Sequence, residues 1–155
     1  MRSQGSSPGF SLLELIIATG ILGLIFTMGF VVFRNQLIGT LDSEAKIIST
    51  RLGGAQNRAI TSMHNSQWGI YFESTSTPFY ALFAGASYTG AASSTYLLSN
   101  LVEFQTPALG NNTSTVFSKL SGSISATTTV VVRLKSDTAQ TKTITVSPGG
   151  RISVE

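Results

Sequence analysis

The sequence of 155 residues contains no cysteine, one histidine and few charged residues, which make up only 11% of the chain. Without cysteine the chain cannot form a disulfide scaffold, a thiolate zinc site or a cysteine nucleophile. The shortage of charge excludes a coiled coil and a charged disordered tail, because both need many more charged residues. Ten Lys and Arg against seven Asp and Glu leave a net charge of +3, which is too small and too dispersed to indicate a nucleic-acid partner by itself.

Catalytic and metal-binding patterns are also missing from the sequence. His64 has no cluster of carboxylates or thiols around it in the sequence, which nearly excludes a catalytic triad or a zinc site. No Gly-rich phosphate loop of the Walker type precedes a helix, and the scattered carboxylates do not indicate a glycosidase pair. These carboxylates are Glu73, Glu103, Asp137 and Glu155. We therefore expect no catalytic residue, no metal ion, no cofactor and no enzyme activity.

A long apolar run is what the chain does have. Residues 15–33 carry no charge, and Thr19 and Thr27 are the only polar side chains among these 19 residues. As a helix the run would be about 28 Å long, close to the roughly 30 Å hydrocarbon core of a bilayer. A secretory signal peptide would have a shorter apolar region followed by a small-residue cleavage site, and no such site follows this run. The run therefore predicts a membrane-spanning helix.

The residues before this run carry a second signal. Residues 1–9 form a short polar stretch with one arginine that ends in Gly9, so processing is expected before the apolar run and not after it. Glu14 lies directly before the run, and a carboxylate so close to hydrocarbon indicates a functional position. The alternative is that the Glu14 side chain simply reaches the lipid headgroups.

The segment from Gly9 to Glu14 reads GFSLLE, and with the apolar run behind it, it resembles the N-terminal motif of the type IV pilin and pseudopilin family. The resemblance implies that residues 1–9 are a prepilin leader, cut between Gly9 and Phe10 by a prepilin peptidase, and that Phe10 becomes the N-methylated first residue. It also implies that Glu14 pairs with the N-terminal amine of a neighbouring subunit. An ammonium and a carboxylate in apolar surroundings are each costly alone and tolerable as a pair.

The same resemblance implies a location and a role. The protein would cross the bacterial inner (cytoplasmic) membrane once, with its head domain outside the cytoplasm, and would then enter a filament through its N-terminal helix. That filament would be a type IV pilus-like fibre or a type II secretion pseudopilus. The implied partners are other pilin or pseudopilin subunits, the prepilin peptidase, the inner membrane and an assembly platform. The motif does not distinguish a secretion, pilus or competence machine, or a major from a minor subunit.

Apolar residues recur at steps of three or four beyond the apolar run and form one helical stripe. They are Leu41, Ala45, Ile48, Leu52, Ala55, Ala59 and Met63. No proline lies between Pro8 and Pro78, so nothing forces a break in this stretch. The pattern predicts one helix over residues 10–64, transmembrane over residues 10–33, whose second half packs on a head domain. His64 is expected to end this helix.

Residues 65–155 predict a β-rich head. Strands are expected at residues 68–73, 79–83, 129–134, 141–146 and 151–154, and polar connectors at residues 73–78, 85–95 and 107–115. The turn at residues 147–150 predicts that the last two strands form a hairpin. A long N-terminal helix packed on an antiparallel β head is an α+β plan. The helix end, the head and this hairpin resemble the H-type minor pseudopilins and their minor-pilin relatives.

The sequence is also compatible with two other functions. Five basic residues follow one another in the last part of the chain, against Asp137 and Glu155, and would let the protein act as a DNA-binding minor pilin of an uptake apparatus. They are Lys119, Arg133, Lys135, Lys142 and Arg151. Ordinary charge scatter on a solvated surface explains the same residues. An uncleaved, membrane-anchored enzyme is the third hypothesis, against which the lack of any catalytic pattern argues.

Overall fold

The computed structural model describes residues 10–155, and of residues 30–35 the backbone alone. It contains helix α1 (Leu12–Ile60), a short 3-10 turn (Met63–Asn65) and eight strands. The strands are β1 (Trp68–Glu73), β2 (Phe79–Ala84), β3 (Ser94–Leu97), β4 (Val102–Thr106), β5 (Asn112–Phe117), β6 (Thr128–Leu134), β7 (Thr141–Val146) and β8 (Ile152–Val154). The chain divides after Gln36 into two compact units, of which the second, Leu37–Glu155, is the head unit. The predicted α+β fold, with a long N-terminal helix and an antiparallel β head, is confirmed.

The head unit has two four-stranded antiparallel sheets. Sheet A has the order β3-β2-β1-β5, and sheet B has the order β4-β6-β7-β8. Alternate residues of each strand face one shared core, as in Trp68, Ile70 and Phe72 of β1 or Ile144 and Val146 of β7. The part of α1 that belongs to this unit fills the core with its apolar stripe. Each large side chain buried there stabilises the fold by roughly 1.5–3 kcal/mol.

The predicted helical stripe is confirmed up to its last member. Six of its residues are buried: Leu41, Ala45, Ile48, Leu52, Ala55 and Ala59. The prediction that α1 extends from residue 10 to residue 64 is wrong at its ends, because the helix spans Leu12–Ile60. Ser62 and His64 have positive φ angles of 52° and 55°, and Met63 consequently leaves the stripe and is 43% exposed. The amide of Leu120 donates to the carbonyl of Ala59 at 3.0 Å and satisfies one of the last helical carbonyls.

All five predicted strands are found, and three further strands were missed. The predictions at residues 68–73 and 141–146 coincide with β1 and β7, and the final hairpin pairs Val146 with Ile152. Strands β3, β4 and β5 were not predicted, and the expected connectors at residues 85–95 and 107–115 overlap β3 and β5. Strand β5 reads NTSTVF, which lacks a strong β pattern. Its buried positions are Thr115 and Phe117, so apolar and polar residues do not alternate although Thr, Val and Phe favour strands, and it pairs with β1 along its whole length.

Glu44, on the head part of α1, gives the stability of the head a pH dependence. Partial burial raises the pKa of its carboxyl, and a hydrogen bond from the backbone of Ser99 opposes this rise. A carboxyl whose pKa is higher in the folded than in the unfolded chain contributes stability that is complete below the unfolded pKa and is lost as the pH rises through the folded pKa.

We therefore expect Glu44→Gln to raise the thermal stability at pH 7 while changing it little below about pH 4. Thermal unfolding at both pH values measures the effect. Glu155→Gln, at an exposed position, is the matched control and should change neither value. Equal effects of Glu44→Gln at both pH values would contradict the assignment.

Candidate assembly segment

The N-terminal unit contains a helical segment that is long and apolar enough to cross a membrane. Over Leu12–Gly29 the mean hydropathy is 2.1, and none of these 18 residues is buried. Large side chains are fully open, among them Phe10, which is 85% exposed, and Phe26, which is 76% exposed. Apolar surface in water costs roughly 25 cal/mol for each Å². A surface of this kind indicates contact with lipid or with other protein.

The two threonines within this segment are compatible with an apolar environment. The hydroxyl of Thr19 donates to the carbonyl of Leu15 at 2.9 Å, and the hydroxyl of Thr27 donates to the carbonyl of Leu24 at 2.8 Å. An unsatisfied polar group in hydrocarbon would cost several kcal/mol. Both threonines avoid this cost within their own helix, so the carboxylate of Glu14 is the one polar side chain of Leu12–Gly29 that still needs a partner.

Glu14 lies in the first turn of α1, at the positive end of the helix dipole. The amide of Leu15 donates to the carbonyl of Ser11 at 3.2 Å, which makes Ser11 the N-cap residue. Ser11 and Glu14 therefore have the spacing of a capping box, in which the glutamate reaches back to the N-cap amide. The Ser-x-x-Glu spacing can be read from residues 11–14 alone. A test of the Glu14 charge therefore has to be separated from an effect on helix capping.

The predicted cleavage site is only partly within the described residues. Phe10 lies directly before the helix, whereas Gly9 and the rest of residues 1–9 lie outside the described residues. Cleavage between Gly9 and Phe10, and methylation of Phe10, stay predictions.

Three glycines lie along the same segment, and no packing contact of the described residues requires them. A Cβ atom added at Gly20, Gly23 or Gly29 would meet no atom of the described chain within 4 Å. Thr19, Gly23 and Thr27 follow one another at intervals of four and share one helix face. Small residues at such spacing let two helix backbones approach closely in a membrane.

The five basic residues of the DNA-binding hypothesis are not brought together by the fold. Lys142 pairs in register with the buried Val132 and faces α1, where its Nζ lies 3.1 Å from Asp42 Oδ1. Arg133 is on the other face of sheet B, with its Nε 2.7 Å from Glu103 Oε1. Two of the five charges are therefore already paired with carboxylates, on opposite faces of one sheet.

Of the other three basic residues, Lys135 lines the same cavity as Arg133 and Glu103, whereas Lys119 and Arg151 do not. Lys119 follows β5 of sheet A and donates to the side-chain carbonyl of Asn65. Lys135 and Arg151 are exposed, one just after β6 and the other just before β8. DNA binding by these residues stays a prediction, without a continuous basic track to support it. Among the described residues, no group of three or more His, Asp or Glu side chains is placed to hold a metal ion.

Comparison with solved structures gives the same fold. Two crystal forms of the type IV minor pilin FimU from Pseudomonas aeruginosa are similar to this chain at 14% sequence identity. In one the TM-score is 0.53, with 74% of this chain and 92% of the FimU chain covered; in the other it is 0.56, with 79% and 90% covered. No protein-family model matches the sequence, and no curated protein matches it. The likeness shows that this chain has the α+β fold of a type IV minor pilin.

Proposed function

We propose that this protein is a structural subunit of a type IV pilus-like or type II secretion pseudopilus filament. The observation that carries the proposal is the apolar helical segment Leu12–Gly29, which has no buried residue and carries Glu14 in its first turn. A segment of this composition needs an apolar partner along its whole length. Lipid supplies that partner before assembly, and the same segments of other subunits supply it in the filament. The fold shared with a type IV minor pilin supports this role and favours a pilus-like filament.

The proposal places residues 10–33 across the inner membrane as a single span, with the head outside the cytoplasm. A prepilin peptidase removes residues 1–9, and the new amine at Phe10 is methylated. Thr19, Gly23 and Thr27 offer a face for close helix packing once the segment leaves the lipid. The partners are other pilin or pseudopilin subunits, the peptidase and the assembly platform.

Within the filament Glu14 has a charge to neutralise. Its carboxylate stands next to a long apolar surface, and an isolated charge there is costly. The amine of Phe10 in a neighbouring subunit is the matching cation, because cleavage creates one such amine for every subunit. Pairing of these two groups would set the axial register between neighbouring helices.

Mass spectrometry of the mature N-terminus tests this function. In the native host we expect a chain that starts at Phe10 and carries the mass of one added methyl group. The matched control is Gly9→Val, which should leave the precursor uncut, because the small residue at the cleavage position is lost. A wild-type protein that keeps Met1 in a host with an active prepilin peptidase would contradict the proposal.

A further inference from the structure

A groove of about 230 Å³ runs along the head unit between α1 and the edge of sheet A. It is lined by Thr50, Arg51, Gly54, Arg58, Leu82 and Tyr96. Two arginines are its only charged lining residues among those described, so the groove is basic. The five basic residues considered above do not contribute to it.

The aromatic rings of sheet A hold both arginines in place. The guanidinium carbon of Arg51 lies 4.3 Å from the ring centroid of Tyr96, and that of Arg58 lies 4.9 Å from the ring centroid of Trp68. Such cation–π contacts occupy the flat face of a guanidinium and leave the several N–H donors of its edge uncovered. Arg51 uses this edge in a hydrogen bond with the side chain of Tyr80, which leaves further donors. Neither arginine forms an ion pair with a carboxylate in the described part of the chain, whereas Arg133 and Lys142 both do.

The space between the two arginines is open. Gly54 lies between them on α1, and a Cβ atom added there would meet nothing within 4 Å. Arg51 and Arg58 are two helical turns apart, a rise of about 10 Å along the axis. Side chains on one face of an extended chain recur at every second residue, about 7 Å apart, and the long arginine side chains can reach two such neighbours. The groove therefore has the length and the donors to hold two carboxylates of one extended segment.

We infer that this groove binds an extended acidic segment of a partner protein, with one carboxylate at Arg51 and another at Arg58. Arginine and carboxylate form paired, charge-assisted hydrogen bonds that fix the orientation of the segment. The groove lies wholly within the head unit, so the inference does not depend on filament assembly.

The contacts favour a peptide over a nucleic acid as the ligand. Single-stranded nucleic acid binds by stacking its bases on free aromatic faces along a continuous basic track. Here the guanidinium groups already cover the rings of Tyr96 and Trp68. Two arginines also neutralise too few phosphates to hold a strand at physiological salt.

Binding of labelled peptides to the full chain in detergent micelles tests the inference. The probes are an end-blocked peptide of alternating threonine and glutamate, the same peptide with glutamine for glutamate, and an oligothymidylate. We expect the glutamate peptide to bind about tenfold or more tightly than the glutamine peptide, and the Arg51→Gln, Arg58→Gln double variant to lose that preference. The control, Lys135→Gln with Arg151→Gln, removes the same charge elsewhere and should leave peptide binding unchanged.

A second pair of variants tests the groove without touching the arginines. Gly54→Gln fills the floor between them, whereas Gly53→Gln makes the same change one residue away, outside the lining. Both replacements favour the helix, so neither should lower the melting temperature. We expect only Gly54→Gln to weaken binding of the glutamate peptide. Failure of that peptide to bind, equal binding of both peptides, equal effects of the two glycine variants, or tighter binding of the oligothymidylate would overturn the inference.

Discussion

Replacing Glu14 by glutamine is expected to leave membrane insertion intact and to reduce the amount of assembled filament by a factor of ten or more. Glu14 is the one residue of the segment Leu12–Gly29 that changes, and the change only removes a charge, so insertion should proceed as before. In the assembled state, however, the amine of Phe10 would face an uncharged amide. Removing one partner of a buried ion pair costs about 3–5 kcal/mol, because the other charge is left without compensation. A change of 1.4 kcal/mol is already a factor of ten in an equilibrium constant.

Two controls separate the charge of Glu14 from helix capping. Glutamine suits the third position of a capping box as glutamate does, so Glu14→Gln removes the charge and keeps the spacing. Ser11→Ala weakens the cap by about 1 kcal/mol and leaves the charge of Glu14 in place. The measurement compares the amount of subunit in sheared filaments with the amount in the membrane fraction. Filaments at wild-type level in Glu14→Gln, or an equal loss in Ser11→Ala, would contradict the pairing with Phe10.

The two halves of the chain were predictable from the sequence to different degrees. The apolar run and the stripe from Leu41 to Ala59 could be predicted because the sequence itself shows their patterns. The first is an unbroken series of apolar residues, and the second is an apolar repeat at helical spacing. The end of α1 could not be predicted, because it depends on positive φ angles at Ser62 and His64, and neither residue is a glycine that would indicate such a backbone. Strand β5 was missed because its pairing partner, β1, decides its conformation.

The candidate sites follow the same division. Glu14 and Phe10 are neighbours in sequence, and a local motif was enough to select them. The groove beside β3 was not foreseen, because Arg51 and Tyr96 belong to elements that only the tertiary fold brings together. The basic residues chosen from charge count alone proved to be spread over two sheets, with Lys142 and Arg133 already paired. The number of basic residues in a stretch of sequence does not show which of them are paired with carboxylates in the fold.

The side-chain amide of Gln56, in the C-terminal part of α1, connects the helix to loops of both sheets. Gln56 Nε2 donates to the carbonyl of Gly122 at 3.0 Å and to the carbonyl of Gly150 at 2.9 Å. Gly122 follows β5, and Gly150 is in the turn between β7 and β8, so the amide joins the two sheets to the helix. Gly150 has a φ of +81°, and a Cβ atom there would overlap the Gly122 carbonyl and the Gln56 amide.

We therefore expect Gly150→Ala to lower the stability of the head by about 3 kcal/mol or more. The left-handed backbone costs an alanine about 1 kcal/mol, and the displaced amide of Gln56 loses both acceptors at a further 1–3 kcal/mol or so. For a unit of this size the melting temperature should fall by roughly 10 °C. Fluorescence of Trp68, the single tryptophan of the chain and 2% exposed, reports unfolding of the head in the full-length protein.

Gly149→Ala is the matched control for this prediction, because it makes the same change in the same turn. A Cβ atom at Gly149 would meet nothing within 4 Å, and its φ lies outside the left-handed region. Alanine there should be neutral or slightly stabilising, through the lower entropy of the unfolded chain.

Gln56→Ala separates the two contributions at Gly150, since it removes the amide and leaves the glycine backbone free. It should cost less than Gly150→Ala, and a combined Gln56→Ala, Gly150→Ala variant should be less destabilised than the sum of the two, because both act on one contact. Equal melting temperatures for Gly149→Ala and Gly150→Ala would show that the amide of Gln56 does not hold this turn.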